Sequence, residues 1–420
     1  MADIISDAEQ AGFANDLTQS NTLGDSVKAY VQRVRGGDMG ALPSIAGLVV
    51  LFIVFGLAND RFLSNLNMAN LATQAGSIII LAMALVPVLL LGDIDLSAGV
   101  AGSTGAAVMG LLIVDHGQGW AVAVVAGLLT GTVIGIVTGV LVAKLGIPSF
   151  VVTLAFFLGL QGVLLKLIGE GGSVRIDQPV ISGIANTNMS VLAGWIAAVV
   201  IIVVFAALRL LQHRRKVAQN LQHQPLAVVI VQIVAMAVVL LGITLILNQN
   251  RSVNPNFPIE GIPYVIPLVV VLLIAWTFAL GRTTWGRHVY AVGGNAEAAR
   301  RAGINVDRIR ISVFMMCTTM AVVSGIVLAS YGGKVSTASG GGNTLLYAVG
   351  AAVIGGTSLF GGKGKASNAV VGGLVIATIA NGLGLLAQAS WINYVVTGGV
   401  LLLAATVDAI SRRRRSATGL

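Results

Sequence analysis

Two aspartates spaced two apart in an apolar chain have the most chemistry to offer. Asp93 and Asp95 stand in Gly92-Asp93-Ile94-Asp95-Leu96-Ser97-Ala98-Gly99, between one apolar segment that ends at Leu91 and another that begins at Leu96. The chain has 16 acidic residues, and the others fall in the N-terminal tail, in loops or at the end of the last apolar segment. Ionisable groups at membrane depth are costly and mark ion or solute paths. Asp and Ser are also good helix N-caps. Asp93, Asp95 and Ser97 therefore read in two ways, as the lining of a pathway or as a helix start at the membrane interface.

A second polar interruption lies in the C-terminal half: Gly355-Gly356-Thr357-Ser358-Leu359-Phe360-Gly361-Gly362-Lys363. Interruptions in corresponding positions of two halves point to discontinuous helices around a transport path. On that basis Gly355, Gly356, Thr357 and Ser358 join Asp93, Asp95 and Ser97 as pathway candidates. The stretch is not a nucleotide-binding loop. That motif needs Gly, four residues, then Gly-Lys-Ser/Thr, whereas Thr357 occupies the first position and Gly364 follows Lys363. The four histidines (His116, His213, His223 and His288) are scattered through loops, and no His-Glu-x-x-His occurs. No catalytic constellation and no metal set emerges. Cys317, the single cysteine, excludes an internal disulfide and reads as a packing residue. Asn188-Met189-Ser190 fits a glycosylation sequon, a three-residue match that chance often supplies.

The segment from 281 to 310 carries a different signal. Asn295 is placed to cap a helix. Glu297 falls in its first turn, where the helix dipole favours an anion. Arg300 and Arg301 follow, and Gly303 can end the helix. The pattern predicts a short exposed helix of about two turns, suited either to docking on a partner or merely to joining two spans. A plain connector needs no capped helix, which favours docking.

The elements that must hold these residues follow from composition. Of 420 residues, 56% are hydrophobic and only 10% charged, where a soluble domain carries about a quarter. Such a chain lacks the polar surface to cover a core in water, and the bilayer is the solvent that suits it. A span needs about 20 mostly apolar residues. Apolar segments run over 42–58, 76–91, 96–114, 120–142, 150–168, 191–211, 226–247, 264–280, 311–331, 345–354, 369–387 and 394–407. The expected fold is all-α, a polytopic membrane protein of roughly 10–12 transmembrane segments, some of them discontinuous or re-entrant. Gly is abundant at 53 residues, and small residues let membrane helices approach closely.

Charge sets the direction. With the N-terminus inside, only Arg61, Lys166, Arg175, Arg251 and Lys334 of the 25 basic residues fall on the outer side or at span ends. Cytoplasmic loops carry the excess of Lys and Arg, so both termini are placed in the cytoplasm. The same asymmetry accounts for the net charge of +9 without nucleic acid. Residues 1–40 form an expected cytoplasmic tail without a secretory signal. In it Val27, Tyr30, Val31 and Val34 share one face of an amphipathic helix, either lying on anionic lipid or simply solvated. Residues 41–411 form the transmembrane domain, with 281–310 as its cytoplasmic loop, and 412–420 form a basic tail.

Four stretches together resemble the permeases of bacterial sugar ABC importers. They are Gly-Gly-Asn-x-Glu-Ala-Ala-Arg-x-x-Gly-Ile at 293–304, Asp-Ile-Asp-Leu-Ser at 93–97, Pro-Ser-Phe-Val-Val-Thr-Leu at 148–154 and Val-Ile-Gly-Gly-Thr-Ser-Leu at 353–359. The resemblance spans about residues 45–412. The chain is longer than ribose-type members, and the excess near 209–248 resembles the xylose-type layout. The resemblance implies two copies of the permease around one pathway in the bacterial plasma (inner) membrane, and a separate cytoplasmic ATPase. An extracytoplasmic sugar-binding protein would deliver the solute. By motif, Asn295, Glu297, Ala298, Arg300, Arg301, Gly303 and Ile304 would dock on the ATPase. Asp93, Asp95, Ser97 and Gly355, Gly356, Thr357 and Ser358 would line or shape the pathway. The chain itself would be no enzyme and carry no cofactor, with ATP and Mg on the partner.

Three other readings remain at this point. An ion-coupled secondary transporter would rely on Asp93 and Asp95. An intramembrane enzyme would need a nucleophile–base or metal set. An importer permease for branched-chain amino acids would share the fold and differ in its binding protein's ligand.

Overall fold

The structure, a computed structural model, describes residues 24, 42–221, 223–252, 254, 256–387, 391, 392, 394–400, 402, 403, 406 and 409. The expected amphipathic helix over 27–34 and the basic tail with Arg412, Arg413, Arg414 and Arg415 lie outside the described residues.

The apolar segments are helices in the expected order. They are α1 (Leu42–Ala58), α2 (Asn65–Leu90), α3 (Ala98–Val114), α4 (Trp120–Ala143), α5 (Ser149–Ile168), a short α6 (Pro179–Asn186), α7 (Val191–Ala218) and α8 (Leu226–Asn248). Then come α9 (Val265–Arg282), α10 (Thr284–Gly294), α11 (Ala296–Arg301), α12 (Val306–Gly332), α13 (Asn343–Ile354) and α14 (Ala366–Leu385). Among the described residues, eight of these helices are long and apolar enough to cross a membrane, while α1, α3 and α13 are apolar but shorter. Residues 394–400 are also helical. The chain is a multi-pass membrane protein.

Three boundaries depart from the hydropathy pattern, each where polar residues open or close a helix. The second helix starts at Asn65 rather than 76, because Ser64 caps it and Asn67 is buried in a reciprocal amide pair with Asn381 of α14 at 2.9 and 3.0 Å. A paired amide costs little to bury, so a polar first stretch joins the span. The twelfth helix starts at Val306, not 311, with Asn305 Oδ1 accepting from the Arg308 N–H at 2.9 Å. The seventh runs on to Ala218, with Arg215 and Lys216 in its last turn, where cations suit the helix dipole. A two-stranded antiparallel ribbon, β1 (Ser173–Arg175) with β2 (Lys334–Ser336), was not foreseen from the sequence.

Residues 190–249 form one compact unit. It is a hairpin of α7 and α8, turned through Asn220 at φ 50° and tied at its open end by Asn248 Nδ2 donating to the Val191 carbonyl at 3.4 Å. Most of its apolar side chains are exposed, which suits helices surrounded by lipid.

Residues 40–189 and 250–410 form the other unit. Its centre is α12 packed on α2, α3 and α4. Glycines at 127, 131, 135 and 139 of α4 form a stripe. A Cβ on Gly131, Gly135 or Gly139 would collide with α12, and one on Gly127 would collide with the Gly105 carbonyl of α3. This close backbone approach is the usual means of holding helices together in lipid. Thr318 Oγ1 adds a hydrogen bond to the Gly131 carbonyl at 2.7 Å.

The arrangement repeats itself in the opposite direction. The series α2, polar interruption, α3, α4 matches α12, polar interruption, α13, α14. As α12 packs on α3 and α4, so α2 packs on α13 and α14, and α3 packs on α4 as α13 does on α14. The end of α2 and the approach to α12 lie together, since Leu90 meets Gly293, so the two series run opposite ways. The partner of the 91–97 interruption in this symmetry is therefore 333–342. The sequence pairs it instead with 355–363, and that pairing is corrected by the packing.

Candidate functional site

The first interruption is held open by its neighbours rather than left as loose chain. Ile94 donates its N–H to Ser149 Oγ at 3.3 Å, and Thr153 Oγ1 donates to the Ile94 carbonyl at 3.2 Å. Both belong to the first two turns of α5. Two stretches that look unrelated in sequence, 93–97 and 148–154, thus form one clasp. Unpaired backbone at membrane depth is tolerated only where protein or water satisfies it, and here α5 satisfies it.

Asp93 sits at the inner end of the clasp. Its Oδ2 lies 3.3 Å from Arg310 Nε in the first turns of α12. The pair is mostly enclosed, so removing one partner would strand a charge. Asp95 lies deeper and is 1% exposed. Its Oδ1 accepts from the Ser97 N–H at 2.9 Å and from the Ser97 hydroxyl at 2.7 Å. The thiol of Cys317 lies against the same carboxylate. Cys317 lies 6 residues beyond Ile311 (317 − 311), where the apolar run of α12 begins, or about 9 Å along its axis. Asp95 therefore turns the chain into α3 inside the membrane thickness. Ser97 occupies the N-cap position of α3 but its side chain makes no cap bond there.

The second interruption, 355–365, is a tight inner turn between α13 and α14. Gly356 and Thr357 donate their N–H groups back to Val353 and Ala352 at 2.9 and 3.0 Å, and Ser358 N–H reaches the Lys363 carbonyl at 2.8 Å. Gly355 backs on to Asn368, where a Cβ would strike the backbone. Thr357 and Ser358 are buried, and among the described residues Thr357 Oγ1 has no hydrogen-bond partner.

The segment 281–310 contains two helices, α10 and α11, where one was expected. Asn295 Oδ1 accepts from the Ala298 N–H at 2.9 Å and caps α11. Glu297 pairs with Arg300 at 3.2 Å and Arg301 at 3.3 Å, and all three side chains are exposed. Gly303 ends the helix at φ 85°. Ala298 is exposed, Ile304 half-buried and Ala299 buried beneath. Surface pairs of this kind contribute a few tenths of a kcal/mol each, so they leave the charges available to a partner.

These places meet at the inner face. Gly362 donates its N–H to the Leu90 carbonyl at 2.8 Å. A Cβ on Gly293 would run into that carbonyl, and one on Gly361 would lie 2.9 Å from the Gly293 carbonyl and 3.0 Å from the Leu90 carbonyl. Tyr290 Oη of α10 donates to the Gly364 carbonyl at 2.7 Å. The exposed α11 is thus joined, through α10, to the ends of both interruptions. Sequence reasoning missed Tyr290, Arg310 and Cys317 as members of this assembly. The glycine pairs at 293–294 and 361–362 were its only trace.

A many-helix membrane fold, two polar interruptions and an exposed capped helix keyed to both define a membrane permease. The chain belongs to the family described as branched-chain amino acid transport system / permease component, whose model matches residues 67–405. It is 33% identical over 378 residues to the xylose transport system permease protein of Escherichia coli K12, covering 88% of this chain and 92% of that one. It is 31% identical over 369 residues to the ribose import permease protein of the same strain, covering 87% and 92%. The fructose import permease protein of Rhizobium meliloti is 28% identical over 401 residues, covering 95% and 93%. No solved structure matches.

Proposed function

We propose that this chain is the membrane subunit of an ATP-driven importer that carries a monosaccharide inward, a pentose such as xylose before others. The observation that carries the reading is the backbone contact of Gly293 and Gly362 with Leu90, which joins an exposed docking helix to the polar interruptions of the spans. An ATPase needs a handle of this kind on its membrane partner. Asn295, Glu297, Ala298, Arg300, Arg301, Gly303 and Ile304 would form that handle. Asp93, Asp95, Ser97, Gly355, Gly356, Thr357 and Ser358 would shape the pathway. ATP and Mg would be held by the partner ATPase, an extracytoplasmic binding protein would deliver the sugar, and two copies of this chain would enclose the path within membrane lipid.

The sugar reading is supported by what the xylose, ribose and fructose permeases are named for. The family description favours a second reading, a branched-chain amino acid as the cargo. Deleting this chain from its own cells and restoring it, with uptake of labelled xylose and labelled leucine followed in each, separates the two. Uptake driven by an ion gradient in vesicles holding this chain alone would instead establish a secondary transporter and sink the ATP-driven reading.

A further inference from the structure

The thirteenth helix is too short to cross the membrane, and its polar neighbours show which side of it is wet. It has 12 residues, about 18 Å, against a hydrocarbon thickness of about 30 Å. Its last carbonyl, of Ile354, accepts from Ser44 Oγ at the start of α1, on the cytoplasmic side. Its first residues therefore lie below the outer surface, and the segment 333–342 dips to reach them. There Gly340 packs so closely on Gly99 and Ser103 of α3 that a Cβ would overlap both. The starts of the two short helices of the inverted series thus meet inside the membrane thickness.

A polar cluster sits beside this meeting point. Asn343 Nδ2 donates to Tyr394 Oη at 2.9 Å. The Tyr347 hydroxyl lies close to Thr397 and Tyr394. The cluster is not sealed in the core, since Tyr394 is 55% exposed and Asn343 and Tyr347 are half-buried. An amide and hydroxyls opening on to hydrocarbon would forfeit hydrogen bonds that water or solute supplies. No Asp, Glu, Lys or Arg occurs in 337–362 or in 391–406. A zwitterion would leave its charges unpaired there, whereas a neutral polyhydroxylated solute matches donors and acceptors of this kind. Tyrosine rings add flat apolar faces for sugar C–H groups.

We propose that Asn343, Tyr347, Tyr394 and Thr397 form a contact site for a neutral sugar on the translocation pathway. It rests on the import reading above and adds the residues that read the cargo.

The test has two arms on the full chain in cells that also make its ATPase and binding protein. In the first, Asn343→Cys and Thr397→Cys are made one at a time. They are treated with a water-soluble, membrane-impermeant maleimide, and labelling of the unsubstituted chain is subtracted. Both cysteines are expected to react, and D-xylose is expected to slow the reaction. In the second, Tyr347→Phe and Asn343→Ala should raise the KM of xylose uptake about fivefold, the worth of one neutral hydrogen bond, with amounts of chain in the membrane unchanged.

Cysteines that stay unlabelled by the water-soluble reagent place the cluster against lipid or in a dry subunit contact and overturn the site. An unaltered KM in both variants overturns it as well. If the unsubstituted chain takes up no monosaccharide, the import reading falls together with the site. If it takes up xylose and the cysteines are unreactive, the site alone falls.

Discussion

The Gly362 N–H donates to the Leu90 carbonyl at 2.8 Å, and the same carbonyl is where a Cβ on Gly293 would have to go. One backbone oxygen at the end of α2 thus receives the turn before α14 and the segment that leads into the exposed α11. A helix-terminal carbonyl lacks an intrahelical partner, so it is free to bind another segment. What is unusual is that the partner comes from 272 residues further along the chain (362 − 90).

Gly293→Ala should break this contact. The added methyl meets a backbone oxygen, not a yielding side chain, and overpacking of that kind costs about 1–3 kcal/mol. The expected outcome is a lower unfolding midpoint in detergent and weak transport. Gly294→Ala, next to it but in open space, should keep both. Equal behaviour of the two variants would remove the basis for the contact.

Tyr290→Phe removes the hydroxyl that donates to the Gly364 carbonyl. One neutral hydrogen bond is worth about 1 kcal/mol, so the chain should still fold. The expected effect is a larger loss of uptake than of partner ATP hydrolysis, measured side by side in reconstituted vesicles. A proportional fall in both would show that Tyr290 merely stabilises the fold. Burial pushes the Tyr290 phenol up, so it stays protonated and able to donate across the physiological range.

Arg310→Gln tests the inner end of the clasp. Arg310 Nε, 3.3 Å from Asp93 Oδ2, is the cation that faces this carboxylate. Without the guanidinium, Asp93 should keep its proton to higher pH than in the unsubstituted chain. The sign follows directly: losing the cation favours the neutral acid. A protonated-carboxyl band should appear in the infrared at a pH where the parent shows none, and Asp93→Asn should abolish it. Identical infrared titrations of Arg310→Gln and parent would contradict the pairing.

Asp95→Ala should impair transport and destabilise the start of α3. It deletes the acceptor for the Ser97 N–H and hydroxyl, leaving two buried donors unmet at about 1–3 kcal/mol each. Asp95→Asn keeps an acceptor in place. If Asn restores folding but not uptake, the carboxylate acts in the pathway. If Asn restores both, Asp95 is a structural cap.

Asn295→Ala should loosen α11 by about 1 kcal/mol, the usual worth of an N-cap. Reversing charge at Glu297 and Arg301 together should leave the fold intact, since both are exposed, and reduce ATP-driven uptake by weakening docking. Unchanged uptake in that double variant would argue for a simple connector.

The sequence by itself determined the solvent and the order of the apolar helices. The reason is that lipid demands continuous apolar runs, which are a linear property. It also placed the cap at Asn295 and the stop at Gly303, because helix ends are set by residues three or four apart. It misjudged the start of α2, since Asn67 is admitted to the membrane only by its amide partner Asn381, 314 positions away. It found Asp93 and Asp95 but not what they touch. Only the tertiary structure set Arg310 beside one and Cys317 beside the other, joined 93–97 to Ser149 and Thr153, and matched the first interruption with 333–342. Glycine explains that division. A residue without a side chain leaves little mark in hydropathy or periodicity, yet its value at Gly293, Gly340 and Gly361 lies in the backbone it allows to come close. Such closeness exists only once distant segments have met.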